Sequence, residues 1–324
     1  MKMISENIGV VVIGRNEGER LKKCLYSVVK NSSTIIYVDS GSTDNSVEFA
    51  RGLGVHVIDL DLNKPFTAAR ARNEGFKALL TLNPKVKYVQ FVDGDCEFIN
   101  SWFEHALSSF SKIEDKQQLA IVFGQCKERF PDASIYNHEA DRGWQIQPGY
   151  TETCGGNFLI LAEVFSSMDG FNETLIAGEE PELCLRIRRS GWKILSVSSD
   201  MVWHDVNLHS FYQWCKRSIR TGHAFAEVSW MHRNFPGKYW FLHNVRIFAW
   251  GLFLPVFMVF LSFFNTYFLF LFLIYPVQIG RIALKEDWLY AYFCVLVKFP
   301  QAIGQGKYLL NNLLGKQSQL IEHK

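Results

Sequence analysis

The feature that most constrains this chain is a long run without a charged side chain. Residues 247–279 contain no Asp, Glu, Lys or Arg, and ten of the 27 phenylalanines lie between Phe241 and Phe272. A membrane-spanning helix needs about 20 apolar residues, so this run is long for one span and short for two. Asn265 and Thr266 divide the run into two halves. We expect Pro255 to interrupt the helix of the first half and Pro276 that of the second.

The residues that flank the run favour two spans over one. Arg233, Lys238 and Arg246 precede it, and Arg281 and Lys285 follow it. Basic residues beside a span tend to stay in the cytoplasm, and a helical hairpin keeps both ends on that side whereas a single span does not. We therefore expect a transmembrane hairpin over residues 247–280. The alternative is a buried helix pair in a soluble core.

The net charge of +2 hides a strong asymmetry. Residues 1–210 hold 22 Lys and Arg against 28 Asp and Glu, whereas residues 211–324 hold 12 against four. We expect residues 211–246 to be a basic interfacial segment that faces anionic lipid, and residues 281–324 to be an interfacial helix and a tail. A nucleic-acid partner is not expected, because the basic segment is short and leads directly into the apolar run. Seven scattered cysteines without metal-type spacing indicate reduced thiols in a cytosolic setting.

The acidic segment 1–210 alternates between two kinds of pattern. Short apolar runs typical of buried parallel strands alternate with stretches at helical spacing. The strands are expected at residues 8–13, 34–38, 55–60 and 87–92, and the helices at residues 17–30, 46–53 and 67–82. Asp44 is suited to cap the second helix. This alternation predicts an α/β domain, with a mostly parallel sheet and helices on both faces.

Polar side chains follow three of these strands. They are Arg15, Asn16 and Glu17 after the first, Asp39 after the second, and Asp93-Gly94-Asp95 after the fourth. Ligands of such sheets bind beyond the carboxyl ends of the strands. Two carboxylates around a glycine can hold a hard divalent cation such as Mg²⁺ or Mn²⁺, and the alternative is a turn whose acids only face water. The glycine-rich phosphate motifs GxGxxG and GxxxxGK[ST] do not occur, so a metal and an arginine, Arg70 or Arg72, are expected to neutralise phosphate.

Six short motifs follow one another over about residues 8–205. They are the strand leading into Asn16-Glu17, residues 38–44, Ala71-Arg72-Asn73, residues 91–95, Gly155-Gly156-Asn157, and residues 178–183 through Gly191-Trp192. In this order they resemble the family 2 glycosyltransferases of the GT-A fold. The resemblance implies a Rossmann-like catalytic domain, a nucleotide-sugar donor, a divalent metal and transfer with inversion at the anomeric carbon.

The resemblance also implies roles for individual residues. The base and ribose would be bound by four residues, Arg15, Asn16, Glu17 and Asp39, and the nucleotide would also be contacted by Arg72. Asp93 would contact the ribose or the metal, and Asp95 would bind the metal. The sugar pocket would be lined by Gly155, Gly156 and Asn157. His204 would be a third metal ligand or a hydrogen-bonded structural residue. The family's first strand usually ends in Pro-x-Tyr/Phe-Asn, and here it ends in Ile13-Gly14-Arg15-Asn16. An aromatic residue that packs on the base is thus missing from the first strand.

The general base is expected in the Glu179-Glu180 pair. Glu180 matches the family's Asp, and Glu179 and Glu182 are its rivals. The pair lies at a predicted helix start, where the helix dipole favours the ionised carboxylate; the alternative is that the acids only stabilise the helix. Trp144 and Tyr150 lie in a stretch that could stack on a sugar or pack in the core.

These patterns together predict a membrane-anchored inverting glycosyltransferase. Its catalytic domain would face the cytosol at the cytoplasmic membrane. It would use a UDP-sugar, or else a GDP-sugar, to extend a lipid-linked or membrane-proximal glycan such as a surface polysaccharide precursor. The alternatives are a sugar nucleotidyltransferase and a non-catalytic membrane adaptor.

Overall fold

The computed structural model describes residues 7–32, 34–112, 118–237 and 239–316. The chain divides into two compact units. Unit 1 comprises Met1–Thr174 and Glu179–Asn207, and unit 2 comprises Leu175–Gly178 and Leu208–Lys324. Lys238 of the basic segment lies outside the described residues.

The first half of unit 1 alternates strands and helices as the sequence predicts. The strands are β1 (Ile8–Gly14), β2 (Thr34–Asp39), β3 (His56–Asp59) and β4 (Tyr88–Asp93), and the helices are α1 (Glu19–Val28), α2 (Ser46–Gly52) and α3 (Ala68–Leu82). All four strands are parallel, in the order β3-β2-β1-β4. Residues Ile8 to Ile13 of β1 are buried on both faces, as expected of a strand covered by helices on each side.

The second half of unit 1 completes a mixed sheet. Its elements are β5 (Cys96–Phe98), α4 (Trp102–Lys112), β6 (Leu119–Glu128), a 3₁₀ turn (Pro131–Ala133), α5 (Ile135–Trp144), β7 (Gly149–Tyr150), β8 (Phe158–Leu161), α6 (Ala162–Ser167), α7 (Glu179–Arg189) and β9 (Lys193–His204). The order continues from β4 through β8, β6 and β9 to β5, and β7 pairs with β9. β8 is antiparallel to both β4 and β6, and β9 is parallel to β6. The predicted α/β class, with a mostly parallel central sheet, is confirmed.

Two local features of unit 1 have clear causes. Gly75 lets α3 lie against the sheet, because a Cβ there would come 2.4 Å from Val11 Cγ1. The expected capping contact of α2 is confirmed. Asp44 Oδ1 accepts from the N–H of Ser46, the first residue of α2, whereas Asn45 at the N-cap position makes no side-chain cap bond. Asp44 Oδ2 also accepts from Gly18 N–H, so that Asp44 joins two loops.

Unit 2 consists of helices. They are α8 (Phe211–Met231), α9 (Phe241–Ser262), α10 (Thr266–Ala283), α11 (Trp288–Leu296) and α12 (Lys298–Leu313). α9 contains a π-helical segment, Ala249–Phe253, and α10 begins as a 3₁₀ helix, Thr266–Leu273. The break between α9 and α10 falls where expected, and the Asn265 side chain accepts from Tyr267 N–H there. Pro255 and Pro276 lie inside α9 and α10, and regular α-helical geometry is interrupted just before each of them. The π-helical segment precedes Pro255 and the 3₁₀-helical segment precedes Pro276, so neither proline ends its helix.

Close backbone contacts hold α8 against α12. A Cβ on Gly304 would come 2.0 Å from the carbonyl oxygen of Ile219, and one on Gly222 would come 2.1 Å from that of Gln301. Trp214 of α8 packs edge-on against Phe293 of α11 at 5.1 Å. These contacts define a packed helical core beside the apolar helices.

α9 and α10 are long and apolar enough to cross a membrane, by length and composition. They have 22 and 18 residues, and only 11% and 6% of their most apolar windows are buried within the structure. A helix pair in a soluble core would be mostly buried, so the described structure does not support that alternative.

Candidate functional site

The carboxyl ends of β1, β2 and β4 lie side by side. Gly14 pairs with Asp39, and Ile13 pairs with Asp93. The Asp39 carboxylate accepts from the backbone N–H groups of Gly41 (2.9 Å) and Ser42 (2.7 Å), from Ser42 Oγ (2.5 Å) and from Tyr37 Oη (2.8 Å). A carboxylate has about four acceptor positions, so Asp39 shapes its own loop with all of them.

The loop after β1 is tied to the loop after β2. Asn16 accepts from Thr43 N–H at 2.7 Å, and its own N–H donates to Ser42 Oγ at 2.8 Å. Glu17 pairs with Arg20 at 2.7 Å. The sequence analysis missed Phe66, a half-buried residue before α3, and the Arg15 guanidinium lies 4.5 Å from the centre of its ring. An aromatic residue is therefore present beside this loop, although it comes from another part of the chain.

Arg72 joins the two acidic motifs. Its Nη2 lies 2.7 Å from Asp93 Oδ1, and its Nη1 lies 2.7 Å from Glu179 Oε1. The Arg72 side chain is only 3% exposed. Burial alone would lower the pKa of Arg72, but Asp93 and Glu179 outweigh that effect and the pKa is raised. Arg72 therefore stays charged at the centre of the site.

The other residues of that motif have structural contacts. Arg70 donates to the backbone carbonyls of Asp61 (2.9 Å) and Lys64 (3.1 Å), so it shapes the loop before α3. Asn73 donates to the carbonyl of Phe171 and accepts from the N–H of the same residue. Of the two arginines expected to meet phosphate, only Arg72 contacts the acidic motifs.

The structure brings Asp95 and His204 together. His204 Nε2 lies 3.3 Å from Asp95 Oδ1, although 109 positions separate the two residues. Trp144 packs edge-on against the His204 ring at 4.4 Å, which orients the imidazole, and His204 Nδ1 faces Glu128 at 3.9 Å. Trp144 thus packs on a candidate ligand.

A carboxylate and an imidazole this close fit a divalent cation. Asp93, the other expected ligand, pairs instead with Arg72 through Oδ1. Cys96 completes a group of three possible ligand atoms with Asp95 and His204. Burial, and then Asp95, raise the pKa of Cys96 well above its ordinary value, and the Cys96 thiol donates to Asp95 Oδ1 at 3.7 Å. Asp95 and His204 therefore offer one oxygen and one nitrogen ligand, with the Cys96 sulfur beside them.

The Gly155-Gly156-Asn157 motif packs against Arg72 and Asp93. A Cβ on Gly156 would come 2.8 Å from Asp93 Oδ2 and 3.1 Å from Arg72 Nη2, whereas Gly155 has open space and a φ of +80°. Asn157 Oδ1 accepts from Asp93 N–H at 2.9 Å. Gly156 is thus required for close approach and Gly155 for the turn.

The three acids at the start of α7 have different environments. Glu179 pairs with Arg72, and Glu182 pairs with Arg186 of the same helix at 2.8 Å. Glu180 Oε1 accepts from Cys154 N–H at 2.6 Å and from Cys184 Sγ at 3.0 Å. Burial raises the pKa of Glu180, the nearby charge of Glu179 adds to the effect, and the hydrogen bonds oppose it. Among the described residues, Glu179 and Glu182 are each paired with an arginine, whereas Glu180 accepts from a backbone N–H and a thiol.

Comparison with known proteins identifies the class to which this site belongs. The family model described as glycosyl transferase family 2 matches residues 9–167. The chain is 22% identical over 237 residues to glycosyltransferase AglE of Haloferax volcanii, a match that covers 69% of this chain and 74% of AglE. It is 25% identical over 235 residues to the pre-mycofactocin glycosyltransferase of Mycobacterium tuberculosis, which covers 70% of this chain and about half, 48%, of that protein.

Solved structures share the fold. TarS 1–349 of S. aureus matches with a TM-score of 0.52 at 11% identity, over 96% of this chain and 92% of that one. GalNAc-T7, crystallised with UDP, GalNAc and Mn²⁺, matches with a TM-score of 0.51 at 16% identity, over 74% of this chain and 53% of that one. Fold, motifs and relatives define a sugar-transferring enzyme. The chain belongs to family 2 of the glycosyltransferases and has the GT-A fold.

Proposed function

We propose that this enzyme is a metal-dependent inverting glycosyltransferase that uses a nucleoside-diphosphate sugar, UDP-linked or else GDP-linked. The observation that carries the proposal is the convergence of Asp95 and His204, 3.3 Å apart, next to the carboxyl ends of β1, β2 and β4. Family membership removes the support for a nucleotidyltransferase or for a non-catalytic adaptor.

Asp95 and His204 would hold the divalent cation, and Asp93 would contact the ribose or the metal. A bound Mg²⁺ or Mn²⁺ would neutralise the diphosphate as it leaves. Imidazole is a softer ligand than oxygen, so His204 favours Mn²⁺ over Mg²⁺. Arg72 contacts both acidic motifs, and we assign it to the nucleotide's phosphates.

The loops after β1 and β2 would bind the nucleoside. In this assignment Arg15, Asn16 and Glu17 line the base and ribose site directly. Asp39 acts through its loop, because four donors already occupy its carboxylate. Gly155, Gly156 and Asn157 would line the sugar pocket beside Arg72 and Asp93.

We assign the general base to Glu180. Inversion in one step needs a carboxylate that accepts the proton of the acceptor hydroxyl. Glu179 is held by Arg72 and Glu182 by Arg186, so both carboxylates are engaged in ion pairs. Burial raises the pKa of Glu180, which suits a carboxylate that accepts a proton.

The acceptor is proposed to be a lipid-linked or membrane-proximal glycan. As a helix of 22 residues, α9 is about 33 Å long. α10 reaches about 31 Å because its first eight residues are 3₁₀-helical. Both lengths match a hydrocarbon core of about 30 Å. The basic residues on both sides of the pair support a hairpin with both ends in the cytoplasm and the catalytic unit in the cytosol.

The test is hydrolysis of a panel of UDP- and GDP-sugars by the full-length chain in anionic nanodiscs, with Mn²⁺, Mg²⁺ or EDTA. We expect metal-dependent release of nucleotide from one donor. D95N should abolish it. D200N removes a carboxylate that pairs with Lys127 at the surface of the same unit, and it should leave activity intact. Hydrolysis that survives EDTA and D95N would overturn the metal assignment, and the absence of turnover with every donor would overturn the donor class.

A further inference from the structure

Two cysteines from separate parts of unit 1 meet at the carboxylate of Glu180. Cys154 immediately precedes the Gly155-Gly156-Asn157 motif, and Cys184 lies one turn after Glu180 on α7. The Cys184 thiol and the Cys154 backbone N–H both donate to Oε1 of Glu180, at 3.0 and 2.6 Å, and the two Sγ atoms are 3.5 Å apart. All three residues are more than nine-tenths buried.

Packing alone does not explain a thiol at position 184. Residues four apart on a helix share a face, so an aliphatic side chain there would fill the same space. It would leave the buried oxygen of Glu180 with one donor fewer, and buried polar atoms are costly when they lose a partner. The side chain at position 184 therefore serves as a hydrogen-bond donor to Glu180 as well as filling space.

The thiols are suited to donate. Burial raises the pKa of Cys184 to about 12 and that of Cys154 well above its ordinary value. Both groups thus stay protonated at neutral pH. Cys154 Sγ lies 3.6 Å from the carbonyl of Gly155, which leaves the Cys184 proton for Glu180.

We propose that Cys184, together with the backbone N–H of Cys154, is a positioning residue that fixes Oε1 of Glu180, so that Oε2 faces the acceptor hydroxyl. This inference rests on the proposed role of Glu180 as base. The Cys184 thiol and the Cys154 N–H converge on one oxygen, and a carboxylate held through one oxygen presents the other in a defined direction. The family's match at position 180 is Asp, and the longer Glu has one more rotatable bond to restrain.

The groups that face Glu180 come from two elements. Glu179 and Cys184 belong to α7, and Cys154 precedes β8. The charge of Glu179 is compensated by Arg72 of α3. Loss of the Cys184 donor removes a contact that stabilises the ionised form of Glu180.

The experiment compares C184A, C184S, E180Q and wild type as full-length chains in nanodiscs. It records the pH profile of donor hydrolysis and the infrared titration of the Glu180 carboxyl, assigned by its loss in E180Q. We expect C184A to raise the pKa of Glu180 and to lower kcat about tenfold, with the donor KM unchanged. C184S keeps a donor and should restore both readouts. I187V, which trims a fully buried residue of α7, is the matched packing control and should change neither.

The outcomes separate the two proposals. An unshifted Glu180 titration in C184A would refute the positioning role alone. In donor hydrolysis water replaces the acceptor hydroxyl as the group from which Glu180 accepts a proton. Full hydrolysis in E180Q would therefore refute the base assignment, and with it the role of Cys184. If C184A does not fold, Cys184→Val fills the space without donating and makes the same comparison.

Discussion

Replacement of Arg72 by methionine removes the cation that joins Asp93 and Glu179 while keeping most of the side-chain volume. Removing one partner of a buried ion pair costs about 3–5 kcal/mol, because it leaves an unpaired buried charge. The Glu179 side chain is 12% exposed, so that half of the loss should apply nearly in full. The Asp93 side chain is 32% exposed, and solvent reduces its share to below about 1 kcal/mol. We expect R72M to destabilise unit 1 by about 3 kcal/mol.

The assay is urea unfolding of the full-length chain in detergent, followed by thiol labelling. Cys24 and Cys184 are fully buried in unit 1, so their labelling reports the unfolding of that unit. The matched control is K77M, on the same helix, which breaks an exposed pair with Glu74 and should cost less than about 0.5 kcal/mol. Equal losses in R72M and K77M would refute the reasoning that burial makes the Arg72 pair important.

Four further predictions address the site and the membrane helices. Gly156→Ala pushes a Cβ into Asp93 and Arg72 and should weaken UDP binding in Mn²⁺ at least tenfold by calorimetry. Gly155→Ala, with φ at +80° but open space, should cost roughly 1 kcal/mol in stability and spare binding; equal binding losses would contradict this. Burial raises the pKa of Glu180 from 4.5, so the stabilising contribution of its neutral form is present at about pH 4 and lost as the pH rises. E180Q should therefore gain stability over wild type in urea at pH 8 but not at pH 4, and a constant difference would count against it. His204→Ala should weaken Mn²⁺-dependent UDP binding more than Mg²⁺-dependent binding, whereas equal losses would exclude His204 as a ligand. Asn265→Cys, with native cysteines blocked, should react with a membrane-impermeant maleimide from outside whole cells, and reaction only in inverted vesicles would argue against two spans.

Much of the first half of unit 1 could be predicted because its signals are local. Four apolar runs become β1 to β4, within one or two residues of the expected bounds. β1, β2 and β4 are short and mostly apolar, and burial on both faces is the favourable arrangement for them. β3 lies at the edge of the sheet, and its His56 and Asp59 are exposed. Beyond β4 the sheet becomes mixed, since β8 runs antiparallel to its neighbours, and no local pattern in the sequence distinguishes that direction.

The sequence predicted many of the residues of the candidate site but not which of them contact one another. Arg72, Asp93 and Glu179 were each singled out from motifs, yet the bridge between them spans 107 positions. Phe66 and the Cys154–Cys184 pair were missed because neither belongs to a motif. The only signal for Phe66 was that it is an aromatic residue in the polar stretch just before the predicted helix at residues 67–82.

The sequence by itself determined that this chain has two chemically different halves. It separates an acidic α/β half with carboxylates at strand ends from a basic half with one uncharged run, because burial and hydration act on each segment through its own side chains. Only the tertiary structure decided which charges meet. Asp95 joins His204, and Arg72 joins both acidic motifs. Glu180 accepts from the Cys184 thiol and from the backbone N–H of Cys154. The physical reason is that ion pairs and hydrogen bonds act over a few ångströms, and packing alone brings residues a hundred positions apart within that distance.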